Sequence, residues 1–331
     1  MTGSNEAVLL IGDIGGTNAR FALADAAGAG FSDEVCLNCA DFETSDQAID
    51  HYLSAVKASR PDVVCIAAAG PIIDRSVVFT NSDWRISERE LGKRFDTSQV
   101  QLLNDFEAIA WSLPLLDAHH RMAIGSRDVL VHDSDDYVIA VLGPGTGLGM
   151  AGLKKSGDQL FPISTEGGHV GFAPESDKQL EVLAKLHEYF KRVSLERLVS
   201  GQGLSNVYDA MTALAGRPLS RSSPREIFER AHDDTDPLAV EAVQFFFEVL
   251  GQAAGDFALS IGVDKGVFIA GGIVKRYPEM FASSRFREGF ENKGRYRSLM
   301  ESIPTSLVMH DQPGLLGASY CARRLLHALV A

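Results

Sequence analysis

Residues 8–20 read V-L-L-I-G-D-I-G-G-T-N-A-R, and the apolar run F-A-L-A follows at once. Two short apolar runs joined by a Gly-Gly-Thr turn dictate a β-hairpin. Gly15 and Gly16 let the backbone fold tightly and bring N–H groups close to an anion. Thr17 adds a hydroxyl. Asp13, between Gly12 and Ile14, sits where it can hold a Mg²⁺ shell through water. The turn is therefore a candidate phosphate site. An ordinary glycine-rich hairpin has the same composition, so the rest of the chain must decide.

At 331 residues the chain is long for one core, and two domains are expected. The formal net charge of −13 argues against nucleic acid as a partner, because a phosphate backbone needs a basic footprint. It does not forbid ATP. Cys36, Cys39, Cys65 and Cys321 are too sparse for a disulfide framework. Cys36 and Cys39 form a C-x-x-C, but no second pair or nearby His completes a zinc site. No basic, apolar, small-residue leader pattern opens the chain, and no apolar run approaches the ~20 residues of a membrane span. A cytoplasmic, reduced protein without a membrane partner is the expectation.

Strands are expected near residues 8–11, 18–24, 34–37, 63–68, 100–104, 137–142, 267–270 and 306–310. A helix over 45–59 shows Ile49, Tyr52, Leu53 and Val56 on one face, and Pro61 marks its end. Ser87 and Glu90 read as a capping box opening a short helix. Ser176 is placed to cap a helix to about Arg192, with Leu180, Leu183, Leu186 and Phe190 as its stripe. Pro224 suits the first turn of another helix, and Asp236-Pro237 opens a long one to Ile261. Phe245, Phe246 and Phe247 in that helix are more than one buried stripe needs, which suggests burial on a second side or a subunit face. A last helix follows Pro313. No internal repeat is visible. The alternation argues an α/β fold with helix-covered sheets.

Three glycine-rich turns each follow a short apolar strand: residues 12–17, the G-P-G-T-G-L-G of 143–149 with Gly145, Thr146 and Gly147, and Gly271-Gly272. None fits G-x-G-x-x-G opening a helix, and none fits G-x₄-G-K-[ST]. Two hairpin loops able to aim N–H groups at phosphates remain, with a third turn suited to a base or ribose. Asn104-Asp105 ends a strand, a good place for a site in an α/β fold. Asp105 as a plain helix N-cap is the competing explanation. Glu166 and His169 flank Gly167 and Gly168 in T-E-G-G-H, a spacing that suits hydrogen bonds to neighbouring hydroxyls of a polyol. A turn with a solvated Glu explains it equally. Glu196 lies in the first turn of an expected helix, where the dipole favours a carboxylate regardless of function.

Taken together, these residues resemble the bacterial glucokinase family of the type lacking a zinc-binding cysteine motif. The resemblance runs over essentially the whole chain. It rests on G-D-I-G-G-T-N-A-R (12–20), A-G-P (69–71), T-N-S-D-W (80–84), L-N-D-F (103–106), G-P-G-T-G-L-G (143–149), T-E-G-G-H (165–169), S-x-E-R-L-V-S-G-x-G-L (194–204), F-I-A-G-G-I-V (268–274) and P-G-L-L-G (313–317).

The resemblance implies an α/β, two-lobed, ribonuclease H-like fold of the actin, hexokinase and Hsp70 type, with a cleft between lobes for nucleotide and sugar. Residues 1–110 with 311–331 would form the small lobe and 111–310 the large one. The implied reaction moves the γ-phosphate of MgATP to the C6 hydroxyl of D-glucose. Asp105 matches the catalytic base. Asn104, Asp105, Glu166, His169 and Glu196 match sugar-binding positions. Gly12, Asp13, Ile14, Gly15, Gly16 and Thr17 match nucleotide-binding positions, as do Gly145, Thr146, Gly147, Gly271 and Gly272. The resemblance implies no structural zinc and leans to a homodimer. Where the family often has Asp, this chain has Gly171. A kinase for another hexose or an N-acetyl amino sugar remains an alternative. A sugar-responsive repressor has no room for a DNA-reading domain before residue 8. An actin- or Hsp70-like ATPase would leave Asn104, Asp105, Glu166 and His169 without a sugar to serve.

Overall fold

The computed structural model describes residues 7–79, 84–129 and 135–330. Of the T-N-S-D-W motif only Trp84 is among them; residues 80–83 lie outside the described residues. The first stretch runs β1 (Leu9–Ile14), β2 (Asn18–Ala24), β3 (Phe31–Asn38), α1 (Ser45–Ala55), β4 (Val63–Ala68), β5 (Ser76–Val78), β6 (Arg85–Ser87), α2 (Glu88–Phe95), β7 (Val100–Asn104) and α3 (Asp105–Ser112). Next come β8 (Arg121–Ile124), β9 (Tyr137–Pro144), β10 (Leu148–Ser156), β11 (Gln159–Thr165), α4 (Asp177–Leu186), α5 (Gly201–Leu214), α6 (Pro224–His232) and α7 (Pro237–Ile261). The chain ends with β12 (Gly266–Ile269), α8 (Gly272–Lys275), α9 (Pro278–Ala282), α10 (Phe286–Glu291), α11 (Arg297–Ser302), β13 (Thr305–Val308) and α12 (Pro313–Val330). It divides into two compact units, Met1–Asp117 with His310–Ala331, and Ala118–Met309.

The first unit is built on a five-stranded sheet of order β3-β2-β1-β4-β7. β1, β2 and β3 form an antiparallel meander, and β4 and β7 continue from β1 in parallel. β4 is buried along its whole length, as a central parallel strand must be. Leu10, Ile14, Phe21, Ile49, Tyr52, Val64, Ile66 and Trp84 belong to the core on one face. On the other face α12 packs on β1 and β4, and α3 packs on α12. A Cβ on Gly317 would lie 1.7 Å from Ala108 O, so glycine is what lets α12 and α3 approach this closely.

The second unit has a six-stranded sheet of order β11-β10-β9-β12-β13-β8. β9, β10 and β11 form a meander, β12 runs parallel to β9, and β13 parallel to β12. The β1-to-β7 pattern of the first unit therefore recurs, although the sequence shows no repeat. Each meander opens with one of the glycine-rich hairpins.

The phenylalanine run of α7 is absorbed by this unit. Phe245, Phe246 and Phe247 are at most 2% exposed. Phe246 and Phe247 meet Phe228 of α6, Phe247 meets Phe281 of α9, and Phe281 meets Phe286 of α10. Gly251 and Gly289 bring α7 and α10 into backbone contact: a Cβ on Gly251 would lie 1.9 Å from Phe286 O. The second buried side is thus α10, not a subunit face.

Several local expectations need correction. The Ser87–Glu90 capping box does not form: Ser87 makes no side-chain cap bond. Glu88 instead turns inward, accepting from Leu102 N and pairing with Arg75. A capping box does form at Ser223 and Glu226, ahead of α6. α1 stops at Ala55, before Lys57 adopts a left-handed φ of 54°. Ser176 caps α4, yet that helix ends at Leu186 and Leu180 is 53% exposed. The buried position beside it is Gln179, whose amide is satisfied by Glu175 N and Glu248.

Candidate active site

In the first unit the site begins as strand register. Ile14 of β1 lies level with Ala68 of β4, and Ala68 with Asn104 of β7. The carboxyl ends of three parallel strands therefore bring Asp13 and Asn104-Asp105 to one edge of the sheet, where ligands bind in open α/β sheets. Asn104 is the N-cap of α3: its Oδ1 accepts from Phe106 N at 3.0 Å, and its Nδ2 donates to Gly70 O at 3.4 Å. Asp105 is not the cap but the first residue of the helix; its Oδ1 accepts from Phe106 N at 2.9 Å. The N-cap is therefore Asn104, with the Asp105 carboxylate beside it in the first helical turn.

Asp13 is half-buried, and its pKa is raised to about 6. Burial is the main cause and the Asp105 carboxylate adds to it, with Arg20, directly opposite on β2, pulling the other way. A Cβ on Gly314, in the first turn of α12, would stand 2.9 Å from Asp13 Oδ2, so glycine keeps room there for the carboxylate. Asp13 remains the candidate for Mg²⁺, which takes one or two carboxylates and keeps several waters. Among the described residues no group of three or more His, Cys, Asp or Glu could hold a metal ion.

The β1–β2 turn forms as expected, closed by Gly15 N donating to Asn18 O at 2.9 Å. Neither Gly15 nor Gly16 adopts a positive φ, and a Cβ on Gly15 would meet only Asn18 O at 3.8 Å. What the absent side chain leaves is open space over the turn. Cys39 braces it from β3's end, with its N donating to Thr17 O at 2.8 Å and its thiol to Gly15 O at 3.7 Å.

In the second unit the loop between β9 and β10 is closed by Gly145 N donating to Gly147 O. It is anchored by Gly201 N, at the start of α5, donating to Gly145 O at 2.8 Å. Glu196 is not in the first turn of α5 but in a preceding 3₁₀ turn, Leu195–Arg197, so a helix dipole does not explain it. Its Oε2 accepts from Leu148 N at 3.1 Å. A Cβ on Gly147 would lie 2.5 Å from that oxygen, so glycine leaves the carboxylate room to sit there. Its Oε1 lies 4.0 Å from His169 Nδ1. Glu196 thus joins the glycine loop to T-E-G-G-H, and Gly171, just beyond that motif, bridges to Ser194. Gly167 and Gly168 fold the 3₁₀ turn onto β10, where a Cβ on Gly168 would lie 2.1 Å from Leu148 O. Glu166 and His169 are exposed at its two ends.

Gly271 has φ 110°, and a Cβ on it would lie 2.6 Å from Pro144 O. The second and third glycine turns therefore touch. Beside them lies a pocket of about 380 Å³ lined by Gly145, Thr146 and Gly272 together with Arg225, Phe228, Arg276 and Tyr277. Phe228 and Tyr277 stack with ring centroids 5.2 Å apart. Sequence reasoning missed these side chains. Pro224 flags only the start of α6, and no local pattern brings α6 to the α8–α9 segment.

The pattern of motifs has counterparts in known proteins. The family described as Glucokinase matches residues 10–325. A glucokinase of Caulobacter sp. strain K31 is 40% identical over 322 residues, covering 96% of either chain. One of Cronobacter sakazakii is 38% identical over 317 residues, covering 96% of this chain and 97% of its own. The crystal structure of a glucokinase from an Antarctic psychrotroph superimposes with a TM-score of 0.88 at 35% identity, covering 96% of this chain and 99% of that one. The fold is the α/β ATPase fold of the actin and hexokinase type. With the family matched from β1 well into α12, and both glycine hairpins in place, the chain belongs to the glucokinase family.

Proposed function

We propose that this protein is an ATP-dependent glucokinase that transfers the γ-phosphoryl group of MgATP to the C6 hydroxyl of D-glucose, giving glucose 6-phosphate and ADP. The observation that carries this reading is the setting of Asp105. It stands at the carboxyl end of β7 within electrostatic reach of Asp13, which belongs to the phosphate hairpin. A base is needed beside a phosphate site, and phosphoryl transfer otherwise asks mainly for positioning and charge stabilisation.

Asp105 accepts the proton of the C6 hydroxyl as that oxygen attacks phosphorus. Asn104, Glu166, His169 and Glu196 hold the remaining hydroxyls. Glu196 has one oxygen committed to Leu148 N and offers the other. The turns containing Gly12–Thr17 residues and Gly145, Thr146 and Gly147 donate N–H groups to the phosphates. Gly271 and Gly272, with the Phe228–Tyr277 stack, receive ribose and base. Asp13 would hold Mg²⁺ through water, and when bound the ion offsets phosphate charge. The two units serve as the small and large lobes. The proposal extends to the cytoplasm, where thiols stay reduced; all four cysteines are free. No helix among the described residues is long and apolar enough to cross a membrane. A homodimer rests on the family resemblance alone, since the phenylalanines of α7 are spent on the core.

The test is ADP release from MgATP with glucose, mannose, fructose, N-acetylglucosamine, N-acetylmannosamine or no sugar. Glucose should stimulate most. Asp105→Asn should lower kcat by ~10²–10⁴-fold with the fold intact. Equal rates with and without sugar would sink the kinase reading, and stronger stimulation by an N-acetyl sugar would replace glucose as substrate.

A further inference from the structure

A pocket of about 250 Å³ between the end of α4 and the outer face of α5 takes no part in the chemistry above. Leu186, Tyr189, Phe190 and Leu219 give it apolar walls, and Asp209 and Arg221 line it as well. Asp209 belongs to α5, and its Oδ1 is buried without a hydrogen-bond partner. Burial raises its pKa, while the Arg221 guanidinium pulls it down. Yet among the described residues no ion pair joins the two. Oδ1 is closed to solvent, so a donor in the pocket meets Asp209 at Oδ2, which accepts no hydrogen bond among the described residues. Arg221 is exposed, on a left-handed backbone of φ 49°, and takes no acceptor of its own among the described residues.

We propose that this pocket binds a free α-amino acid with an apolar side chain. Its ammonium pairs with Asp209, its carboxylate with Arg221, and its side chain lies against Tyr189, Phe190 and Leu219. Charge decides among occupants. A simple amine leaves Arg221 unmatched, and a simple carboxylate is opposed by Asp209. A zwitterion answers both. The volume lies below the roughly 300–1,000 Å³ of sites for drug-sized ligands, as a ligand of amino-acid size requires. The pocket also touches the segment carrying Glu196. Asn206, on its wall, donates to Arg197 O at 3.0 Å, and the Arg197 guanidinium lies 4.4 Å over the Phe190 ring. Occupancy therefore bears on the residue next to Glu196. That consequence rests on the proposed function; the binding does not.

The test uses the full chain without sugar or nucleotide, by saturation-transfer NMR and titration calorimetry. L-phenylalanine and L-leucine are the probes, with phenethylamine and hydrocinnamate as analogues carrying one charge each. The amino acids should bind, and each analogue should bind at least about tenfold more weakly. Asp209→Asn should weaken phenylalanine binding by about tenfold or more, as should Arg221→Ala, a change at an exposed position that leaves the core untouched. No signal from either amino acid overturns the proposal. So does equal binding of an analogue, or unchanged affinity in either folded variant.

Discussion

Gly147→Ala tests how this chain holds Glu196. The added Cβ would lie 2.5 Å from Glu196 Oε2 and 3.4 Å from its Cδ, and meets nothing else outside its chain neighbours within 4 Å. Position 147 does not have a positive φ, so alanine brings no backbone strain. It removes unfolded-state freedom, worth about 0.4–1 kcal/mol in favour of the fold. Against that, the carboxylate must swing away and Leu148 N loses its acceptor. A hydrogen bond to a charged group contributes about 1.5–3 kcal/mol. The net is a loss of about 1–2 kcal/mol, or a fall of roughly 2–8 °C in Tm for a unit of this size. Because the clash is with one side chain, the cost should vanish when that side chain is gone. In a Glu196→Ala background Gly147→Ala should be neutral or stabilising by up to about 1 kcal/mol. Urea denaturation of the four proteins gives the coupling, expected at about 1.5–3 kcal/mol. Both single variants should also raise KM for glucose. An equal cost of Gly147→Ala in both backgrounds would refute the reasoning, because the glycine would then answer to something other than Glu196.

Two further outcomes follow from the site. The folded state holds the Asp13 proton up to about 6 against 3.8 ordinarily, so its favourable contribution is complete below about 3.8 and is lost as pH rises through about 6. Asp13→Asn should therefore be more stable than wild type by up to about 3 kcal/mol near neutral pH, with the gap closing by about pH 4; urea midpoints at both pH values check this, and a wild type as stable as the variant near neutrality would contradict it. Tyr277→Ala should raise KM for ATP by roughly tenfold while leaving KM for glucose unchanged, since a base–aromatic contact contributes about 1–3 kcal/mol; steady-state kinetics with each substrate varied would expose a shared or absent effect.

Much of this protein is fixed locally. The hairpin of β1 and β2, the buried strand β4, the cap at Ser176 and the span of α7 are legible because side-chain period, capping hydroxyls and prolines act within a few residues. The two glycine hairpins and Asn104-Asp105 are legible for the same reason. What sequence spacing could not decide is everything set by distant partners. The pattern β3-β2-β1-β4-β7 recurs as β11-β10-β9-β12-β13 without any repeat in residue identity, because a sheet needs only apolar strands in order, not the same ones. Glu196 reads as a helix-dipole carboxylate until tertiary contact places its oxygens on Leu148 N and beside His169. Gly147 and Gly271 look like turn glycines, yet the first makes room for a carboxylate 49 positions on and the second is required by Pro144 O on the neighbouring strand. Asp13 looks like an ordinary carboxylate, and only burial beside Asp105 raises its pKa. Short-range steric and hydrogen-bond preferences are written in neighbouring residues; close approach, desolvation and charge proximity arise only when remote segments pack.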